Sequence, residues 1–402
     1  MICNPLKQIP GCSNNVLDKL FRLPARFNFV VKPYCLAFAF AASAQVNAFE
    51  LDFTGFGGID TNPLALSDQH NPDSDLFLYG DINFSADYDK RFFIDAYTQQ
   101  TVFIDDDRAD WSRSKLDLGY KSKFKIGERR IRYEFSTDVT DRDKTYVSKT
   151  TGEEATFGGE SIEDRYDYVS QNYNAMISYR NQQRIKFKLE YQFRDKDYDD
   201  FTDLGLSDFD YEHDRLRLSI DIPVAESGRF VGRVGTTDRE FKDKRADDLN
   251  GDDIPDSDLE YDYDSYELDY YYRPSKTFRF SALLDYVTRS DNAVGYADTT
   301  YQSLALSGKY SLSDNETLEV SIRFSNYEYD NRNVTDELSL EEDEFDQEIQ
   351  RIILEYEKVL SSADDRELTS YLSLEIFDVE STDARYEYDR NIIAAGVRYG
   401  IR

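Results

Sequence analysis

The sequence predicts an all-β protein, a transmembrane, antiparallel, up-and-down β-barrel of about 16 strands. Three observations lead to this prediction. Apolar and polar residues alternate in many segments of about ten residues, the length of a tilted strand that spans a bilayer. Tight turns and long acidic links join these segments alternately. The number of segments is even, and such barrels have an even strand count with short turns on one side only.

The clearest of these strands is Ile185–Arg194. Its odd positions are all apolar or aromatic, and its even positions are all charged or polar. Because successive side chains leave a strand on opposite faces, one face is apolar and the other polar. A strand of a soluble sandwich has the same pattern, so the prediction of a membrane barrel depends on the repetition of this pattern along the chain.

The predicted strands follow one another from residue 49 to the C-terminus. In order they are Phe49–Phe53, Leu76–Tyr88, Phe92–Gln99, Leu116–Ile126, Ile131–Phe135, Tyr173–Tyr179, Ile185–Arg194, Arg215–Ile222, Phe230–Val234, Tyr266–Tyr272, Phe278–Tyr286, Leu304–Tyr310, Leu318–Phe324, Ile352–Tyr356, Leu368–Ile376 and Ile393–Ile401.

The lengths of the links between strands predict on which side of the membrane each link lies. Tight turns are expected near residues 89, 127, 182, 226, 275, 314 and 362, and we place them in the periplasm. The long acidic links between them are the predicted outer loops. They include Asp105–Asp107, a polar stretch of roughly Asp138–Val169, Asp195–Glu212, Lys242–Tyr261 and Asp330–Glu348. Gly55–Gly58 and Gly158-Gly159 are interpreted as turn glycines, because no helix follows them as in a phosphate-binding loop.

Residues 1–48 are predicted to be a secretory signal peptide, which leaves 49–402 as the barrel. A basic region precedes the apolar run Tyr34–Ala44, and a small-residue cleavage site ends at Ala48, with Ala44 as the second choice. The chain's 3 cysteines all lie in this segment: Cys3, Cys12 and Cys35. The mature chain therefore has neither a disulfide nor a cysteine metal site.

Composition excludes several classes of protein. The chain has 80 acidic and 48 basic residues and a net charge of -32, so a polyanionic nucleic acid is excluded as a partner. Cleavage removes five basic residues and Asp18, which makes the mature chain more acidic still. No apolar run after the N-terminus is long enough for a transmembrane helix. The 31 Tyr and 27 Phe argue against disorder, since such a chain can bury surface.

The polar face of the strands is predicted to line a wet lumen, because barrels of 16 to 18 strands leave an aqueous channel. Both charge signs occur on this face. The predicted lumen-lining residues are Lys186, Lys188, Glu190, Arg215, Arg217, Asp221, Arg279, Asp285, Arg323 and Glu355. Tyr residues near strand ends, such as Tyr88 and Tyr310, suit interfacial girdles; Tyr is also simply a good strand former.

Two short motifs resemble those of bacterial outer-membrane barrels. At the C-terminus, Gly396, Tyr399 and Ile401 resemble the terminal targeting signal of these proteins, which implies recognition by the barrel-insertion machinery of a Gram-negative bacterium. Gly58-Ile59-Asp60-Thr61-Asn62-Pro63-Leu64 resembles the Asp-Ser/Thr-Asn-Pro first-loop signature of a group of β-barrel porins. Some members of that group accompany polysaccharide export. The resemblance implies residence in the outer membrane, with lipid and lipopolysaccharide as neighbours.

One acidic loop has the pattern of a calcium site. Asp248, Asn250, Asp252, Asp256 and Asp258 place oxygen atoms at alternate positions, which suits a hard cation such as Ca²⁺. The segment is similar to the calcium loops of secreted repeat proteins. The alternative is a solvated acidic loop without metal. No cofactor is required by any other motif.

No arrangement of residues supports catalysis. The histidines, His70 and His213, are both expected near loops as solvated surface residues, and no Ser/His/Asp spacing stands out. The stretch Asp138–Val169 either folds inward as a constriction or extends outward. We therefore expect a non-enzymatic porin-like channel for small hydrophilic solutes or ions. A barrel component of exopolysaccharide export or surface attachment is the alternative, and the oligomeric state stays open.

Overall fold

The computed structural model confirms the predicted fold class. It describes residues 48–70, 72–127, 129–333, 344–363 and 365–402, so the predicted signal peptide lies almost wholly outside the described residues. Sixteen strands form one closed antiparallel barrel, in which each strand pairs with its neighbours in the chain and the first pairs with the last. Closure matters because a bilayer cannot satisfy the backbone groups of a free strand edge.

The barrel strands are longer than the predicted segments and extend beyond the apolar part of the wall. They are β1 (Ala48–Asp60), β2 (Asp75–Tyr88), β3 (Phe92–Phe103), β4 (Trp111–Ile126), β5 (Arg129–Lys144), β8 (Tyr168–Arg180), β9 (Lys186–Tyr198), β10 (Tyr211–Val224), β11 (Gly228–Phe241), β12 (Glu260–Tyr272), β13 (Phe278–Asp291), β14 (Thr299–Ser313), β15 (Glu316–Asn333), β16 (Glu344–Ala363), β17 (Arg366–Ser381) and β18 (Tyr388–Ile401). A separate hairpin in the link after β5 consists of β6 (Thr156–Phe157) and β7 (Glu160–Ser161).

Alternation of side chains sets the two faces of the wall, as predicted. Large apolar side chains remain exposed on the outside of the barrel, for example Phe187, Leu189, Leu218 and Leu268. An exposed apolar surface of this extent is unusual for a soluble protein and suits contact with lipid. The described residues contain no helix that is long and apolar enough to cross a membrane.

The links alternate in length as the sequence predicts, with some shifts in position. The last tight turn follows Ala363, because β16 continues through the serines that we expected to turn. The third outer loop is 145–167, shorter than predicted, because β5 extends to Lys144. The link between β15 and β16 lies outside the described residues.

The interpretation of Gly55–Gly58 as turn glycines is wrong. These residues lie inside β1 and pair with β2 on one side and β18 on the other. A side chain at Gly58 would place its Cβ 2.3 Å from the carbonyl oxygen of Ile393, so glycine permits the close approach of β18. Gly158 and Gly159 do form a turn, the one between β6 and β7, with φ of 61° and 92°.

Candidate functional site

The inward face of the barrel is the candidate functional site. All ten predicted lumen-lining residues lie on it, because each occupies a strand position that alternates with the exposed apolar residues. Within β9, for example, Lys188 and Glu190 flank the outward Leu189. The effect of these ten residues on ion passage stays a prediction.

Charge is segregated around the lumen, which the sequence analysis did not predict. The inward charged residues of β1, β2 and β3 are carboxylates only: Glu50, Asp52, Asp60, Asp75, Asp81, Asp87 and Asp95. Lys and Arg dominate the inward face from β4 to β11, including Arg113, Arg132, Arg142, Lys186, Lys188, Arg194, Lys196, Arg215, Arg217, Arg233 and Arg239. We call these two surfaces the acidic wall and the basic wall.

A network of ion pairs neutralises the part of the basic wall that is farther from the outer mouth, which we call its lower part. Glu190 lies 2.6 Å from Lys188 and 3.2 Å from Arg217. The carboxylate of Glu267, on β12, accepts a hydrogen bond from Arg233 of β11 at 2.9 Å. It also lies 3.4 Å from Arg215 of β10. Side chains from four neighbouring strands are thus held in place across the wall, which gives the lumen a fixed charged surface.

The acidic wall borders a cavity of about 690 Å³ within the lumen. Its lining combines carboxylates such as Asp81 and Glu355 with aromatic rings. Phe56 stacks on Tyr79 with ring centroids 4.3 Å apart, and Tyr371 packs edge-on against Phe56. Strand patterning did not identify these aromatic residues as lumen residues. Phe56 lies within Gly55–Gly58, which we interpreted as a turn, and Tyr371 stands at a strand position that we expected to be polar.

The third outer loop (145–167) lies over the mouth, where it contacts the first outer loop (61–74). The ammonium of Lys149 donates to the carbonyl oxygen of Leu64 at 3.2 Å and to that of Ala65. It also lies 5.7 Å from the ring centroid of Tyr388, at the start of β18. His70 Nε2 lies 3.0 Å from the carbonyl oxygen of Lys149. Burial lowers the pKa of Lys149 to about 8. Of the two orientations that the sequence left open, these contacts favour the inward one.

Protonation is expected to stabilise the rim where the third outer loop meets the fourth (199–210). Burial raises the pKa of Asp167 to about 7 and that of Asp210 to about 6. Both values exceed the unfolded value of about 4, so the added stability is fully present below pH 4 and is lost as pH rises through 6 to 7. Hydrogen exchange of the amides of residues 145–167, corrected for intrinsic rates, should show greater protection at pH 4.5 than at pH 7.5.

The matched variant for this measurement is Asp167→Asn, which keeps the shape of the side chain and removes its titration. In this variant, the protection of the amides of residues 145–167 should depend less on pH. Equal corrected protection of these amides at both pH values in the unmodified protein would show that the two carboxyls do not control the rim.

The Asp-Thr-Asn-Pro motif fastens the seam between β1 and β18. Asp60 is 1% exposed and accepts hydrogen bonds from Arg390, including one of 3.0 Å from Nε to Oδ1. The backbone N–H of Asn391 donates to the Thr61 hydroxyl at 2.8 Å. Asn62 donates to the carbonyl oxygens of Leu66 at 2.7 Å and of Asp389 at 3.2 Å. The residues of the motif therefore join the first and last strands at their outer ends.

The histidines differ from the expectation of two solvated surface residues. His70 lies in the first outer loop and is partly buried. His213 lies in β10 on the inward face and is only 8% exposed. The sequence showed that Tyr211 and His213 continue the period of the inward Arg215 and Arg217, so a longer β10 would have predicted this position.

The five predicted calcium ligands all lie in the fifth outer loop (242–259). Asp248 Oδ1 accepts the backbone N–H groups of Asn250 at 2.8 Å and Asp252 at 3.1 Å. The N–H of Asp252, followed by that of Asn250, holds the pKa of Asp248 below its usual value. Gly251, with φ of 82°, makes the bend. Within the described residues, no three carboxylate or imidazole groups converge on one point that could hold a metal. The calcium site stays a prediction.

If this loop binds Ca²⁺, the cation should protect it from proteolysis, and Asp252→Ala should abolish that protection. Asp243→Ala is the matched control, since it removes an exposed carboxylate of the same loop outside the predicted ligand set. The rate of cleavage within 242–259, measured with and without Ca²⁺, distinguishes the two variants. Ca²⁺-dependent protection that survives in Asp252→Ala would contradict the predicted site.

The closed wall, the apolar outer surface and the polar lumen together define the class of protein, a 16-stranded transmembrane β-barrel. No protein-family model matches the chain, and no curated protein matches its sequence. Membership of the porin group with the Asp-Ser/Thr-Asn-Pro signature therefore stays a prediction.

The chain is similar to several solved structures of bacterial proteins, among them the following three. OprD of Pseudomonas aeruginosa is 11% identical to this chain, with a TM-score of 0.43, and the match covers 89% of this chain and 96% of the OprD chain. OmpT of Vibrio cholerae in its trimer form is 10% identical, covers 88% and 98%, and has a TM-score of 0.41. A bacterial polysaccharide outer membrane secretin is 11% identical, covers 89% and 99%, and has a TM-score of 0.39. At these values the similarity carries no conclusion about function.

Proposed function

We propose that this protein is an outer-membrane channel through which small hydrophilic solutes or ions diffuse passively. The observation that carries the proposal is the charge-lined lumen of a closed 16-stranded barrel, with an acidic wall and a basic wall. Fixed charges in a restricted aqueous passage select among permeating ions. The third outer loop restricts the mouth through its contacts with the first outer loop. No step of this function requires catalysis or a cofactor.

Conductance of the purified protein in planar bilayers tests the proposal. We expect discrete channels and a measurable preference for one ion sign. The double variant Lys186→Glu, Lys188→Glu reverses two charges on the basic wall and should shift the reversal potential toward cation selectivity. Lys276→Glu makes the same type of change in an exposed turn and should leave selectivity nearly unchanged. Heat-modifiable migration on gels verifies that each variant is folded.

Folded protein that gives no channels would contradict the channel proposal. That result would favour the alternative, a barrel component of exopolysaccharide export or surface attachment, whose passage opens only with its partners. Deletion of the gene, followed by measurement of the amount of surface glycan, would then test this alternative.

We further propose that the outer rim contacts lipopolysaccharide through divalent cations. Carboxylates face outward directly above the apolar band and stand opposite one another across the strands. Glu212 pairs in register with Glu240, and Asp238 pairs with Asp214 and Asp262. Like charges in such positions destabilise a sheet. Bridging cations would relieve this repulsion and join the rim to anionic lipid. Chelation of divalent cations should lower thermal stability in lipopolysaccharide-containing vesicles more than in phosphatidylcholine vesicles, and equal effects would contradict the proposal.

A further inference from the structure

The upper part of the basic wall contains a second group of cations, close to the outer mouth. Strand register places His213 of β10 directly between Arg194 of β9 and Arg239 of β11. Lys196 is the next inward residue of β9 beyond Arg194. It shares the Tyr168 ring with Arg142 of β5, and Arg142 pairs in register with Arg113 of β4. We call these six residues the upper cationic cluster: Arg113, Arg142, Arg194, Lys196, His213 and Arg239.

In the described part of the chain, this cluster differs from the lower part of the wall because its Lys and Arg residues form no direct ion pair with a carboxylate. Below it, Glu190, Glu267 and Asp269 neutralise the cations. Among the residues that the structure describes, none of the five Lys and Arg residues of the cluster forms an ion pair within 4.0 Å. Instead, Arg194 donates to the amide oxygen of Asn172 at 2.6 Å. Asp138, which accepts from the same Asn172 side chain at 2.9 Å, is paired with Lys115 at 3.3 Å. The Lys and Arg residues of the cluster therefore call for further counter-charge from solution.

Aromatic rings hold the cations of the cluster in position. The Lys196 ammonium lies 3.5 Å from the ring centroid of Tyr168 and 4.4 Å from that of Tyr198. The Arg239 guanidinium lies 4.5 Å from the ring centroid of Tyr211 and 5.0 Å from that of Tyr263. A ring against the planar face of the Arg239 guanidinium leaves the N–H donors at its edge for a ligand, and the Lys196 ammonium carries three N–H donors.

Several buried nitrogen atoms of the cluster have no hydrogen-bond partner among the residues that the structure describes. Both ring nitrogens of His213 are in this state, and the residue is only 8% exposed. Nε of Arg113 and Nε of Arg239 are also buried without a partner. Buried polar atoms of proteins are nearly always hydrogen-bonded. The Nε–H groups of Arg113 and Arg239 and the one N–H of a neutral His213 ring are unpaired donors on one cationic patch, and they point to an absent acceptor. Arg194 also lines a lumen cavity of about 390 Å³, through which a small solute can approach.

We propose that the upper cationic cluster binds the oxyanion group of a small solute, a phosphate or a carboxylate. Guanidinium groups match the geometry of both anions, and the neutral imidazole of His213 can donate a further hydrogen bond. The cluster is thus an anion-binding site on the basic wall, just inside the outer mouth. The proposal deepens the proposed channel function and depends on it for the route by which the anion arrives.

Titration calorimetry of the detergent-solubilised full chain with inorganic phosphate, and separately with acetate, tests the site. We expect saturable binding of at least one of these probes. The double variant Arg194→Gln, Arg239→Gln should weaken it by about tenfold or more, since each guanidinium supplies charge-assisted hydrogen bonds. Lys188→Gln removes a cation of the neutralised lower tier and should change the affinity less than about twofold, because Lys188 lies outside the cluster and its charge is already paired with Glu190.

Calorimetry does not depend on conduction, so the site and the channel can fail separately. Absence of saturable binding of either probe to the folded, unmodified protein overturns the proposed site and leaves the channel proposal intact. Equal affinity of the double variant and the unmodified protein also overturns it. If the double variant does not fold, His213→Phe is the second variant. It keeps an aromatic ring at the buried position, removes both ring nitrogens, and should still weaken phosphate binding.

Discussion

Arg390→Ala is expected to destabilise the barrel by about 3–5 kcal/mol, the cost of leaving one member of a buried ion pair unpaired. Asp60 is 1% exposed, and Arg390 donates to both of its carboxylate oxygens. Without the guanidinium, the Asp60 charge remains buried at the outer end of the seam, where Asn62 also depends on it through an N–H bond of 3.0 Å. The β1–β18 seam should therefore open first.

Urea unfolding in detergent micelles, followed by the fluorescence of the single Trp, measures the loss. Trp111 lines the lumen cavity near this seam and should report its opening. The matched control is Arg402→Ala, which breaks the ion pair with Asp52 at the other end of the same seam. Arg402 is about half exposed and Asp52 is 23% exposed, against 1% for Asp60, so the loss of this pair should cost less than about 1 kcal/mol. Similar destabilisation by both variants would show that the motif at Asp60 has no special role in closure.

The fold was predictable because the membrane and the backbone together permit few solutions. Once Ile185–Arg194 and its repeats were recognised as strands with one apolar face, closure followed from the need to pair every strand edge. Strand ends were less predictable. The apolar pattern stops where the wall leaves the lipid, whereas backbone pairing continues, as between Asp214 and Asp238 in the outer ends of β10 and β11. Hydrogen bonding rather than hydropathy sets these ends.

The candidate site was predictable only in part. Alternation placed residues such as Lys188 and Glu190 on the inward face, because the period of a strand is fixed. Alternation could not show that Glu190 and Glu267 neutralise one tier of cations, since those contacts join several strands. Nor could it show that, among the described residues, the Lys and Arg side chains around His213 form no direct ion pair. The segregation into acidic and basic walls was nevertheless visible in the sequence. Within each strand, the inward charges of β1 to β3 share one sign, and those of β9 to β11 mostly share the other.

Gly396→Ala is expected to prevent proper closure of β18 against β1. An added Cβ would lie 2.3 Å from the carbonyl oxygen of Gly55 and 2.4 Å from Cβ of Phe56, which are backbone and near-backbone atoms of the paired strand. Neither can move without disturbing the ladder, so we expect a loss of about 3 kcal/mol, at the upper end of the usual cost of overpacking. Equilibrium unfolding after refolding into detergent micelles measures it.

The same residue belongs to the predicted C-terminal insertion signal, and the setting of the experiment separates the two roles. A purely signalling role predicts normal refolding of Gly396→Ala from urea into micelles, where no insertion machinery is present, and poor assembly only in cells. The steric role predicts a defect in both settings. Gly55→Ala is the control on the same seam, because its Cβ would have no atom within 4 Å. Normal stability of that variant beside a defective Gly396→Ala in micelles would assign the requirement for glycine at position 396 to strand approach.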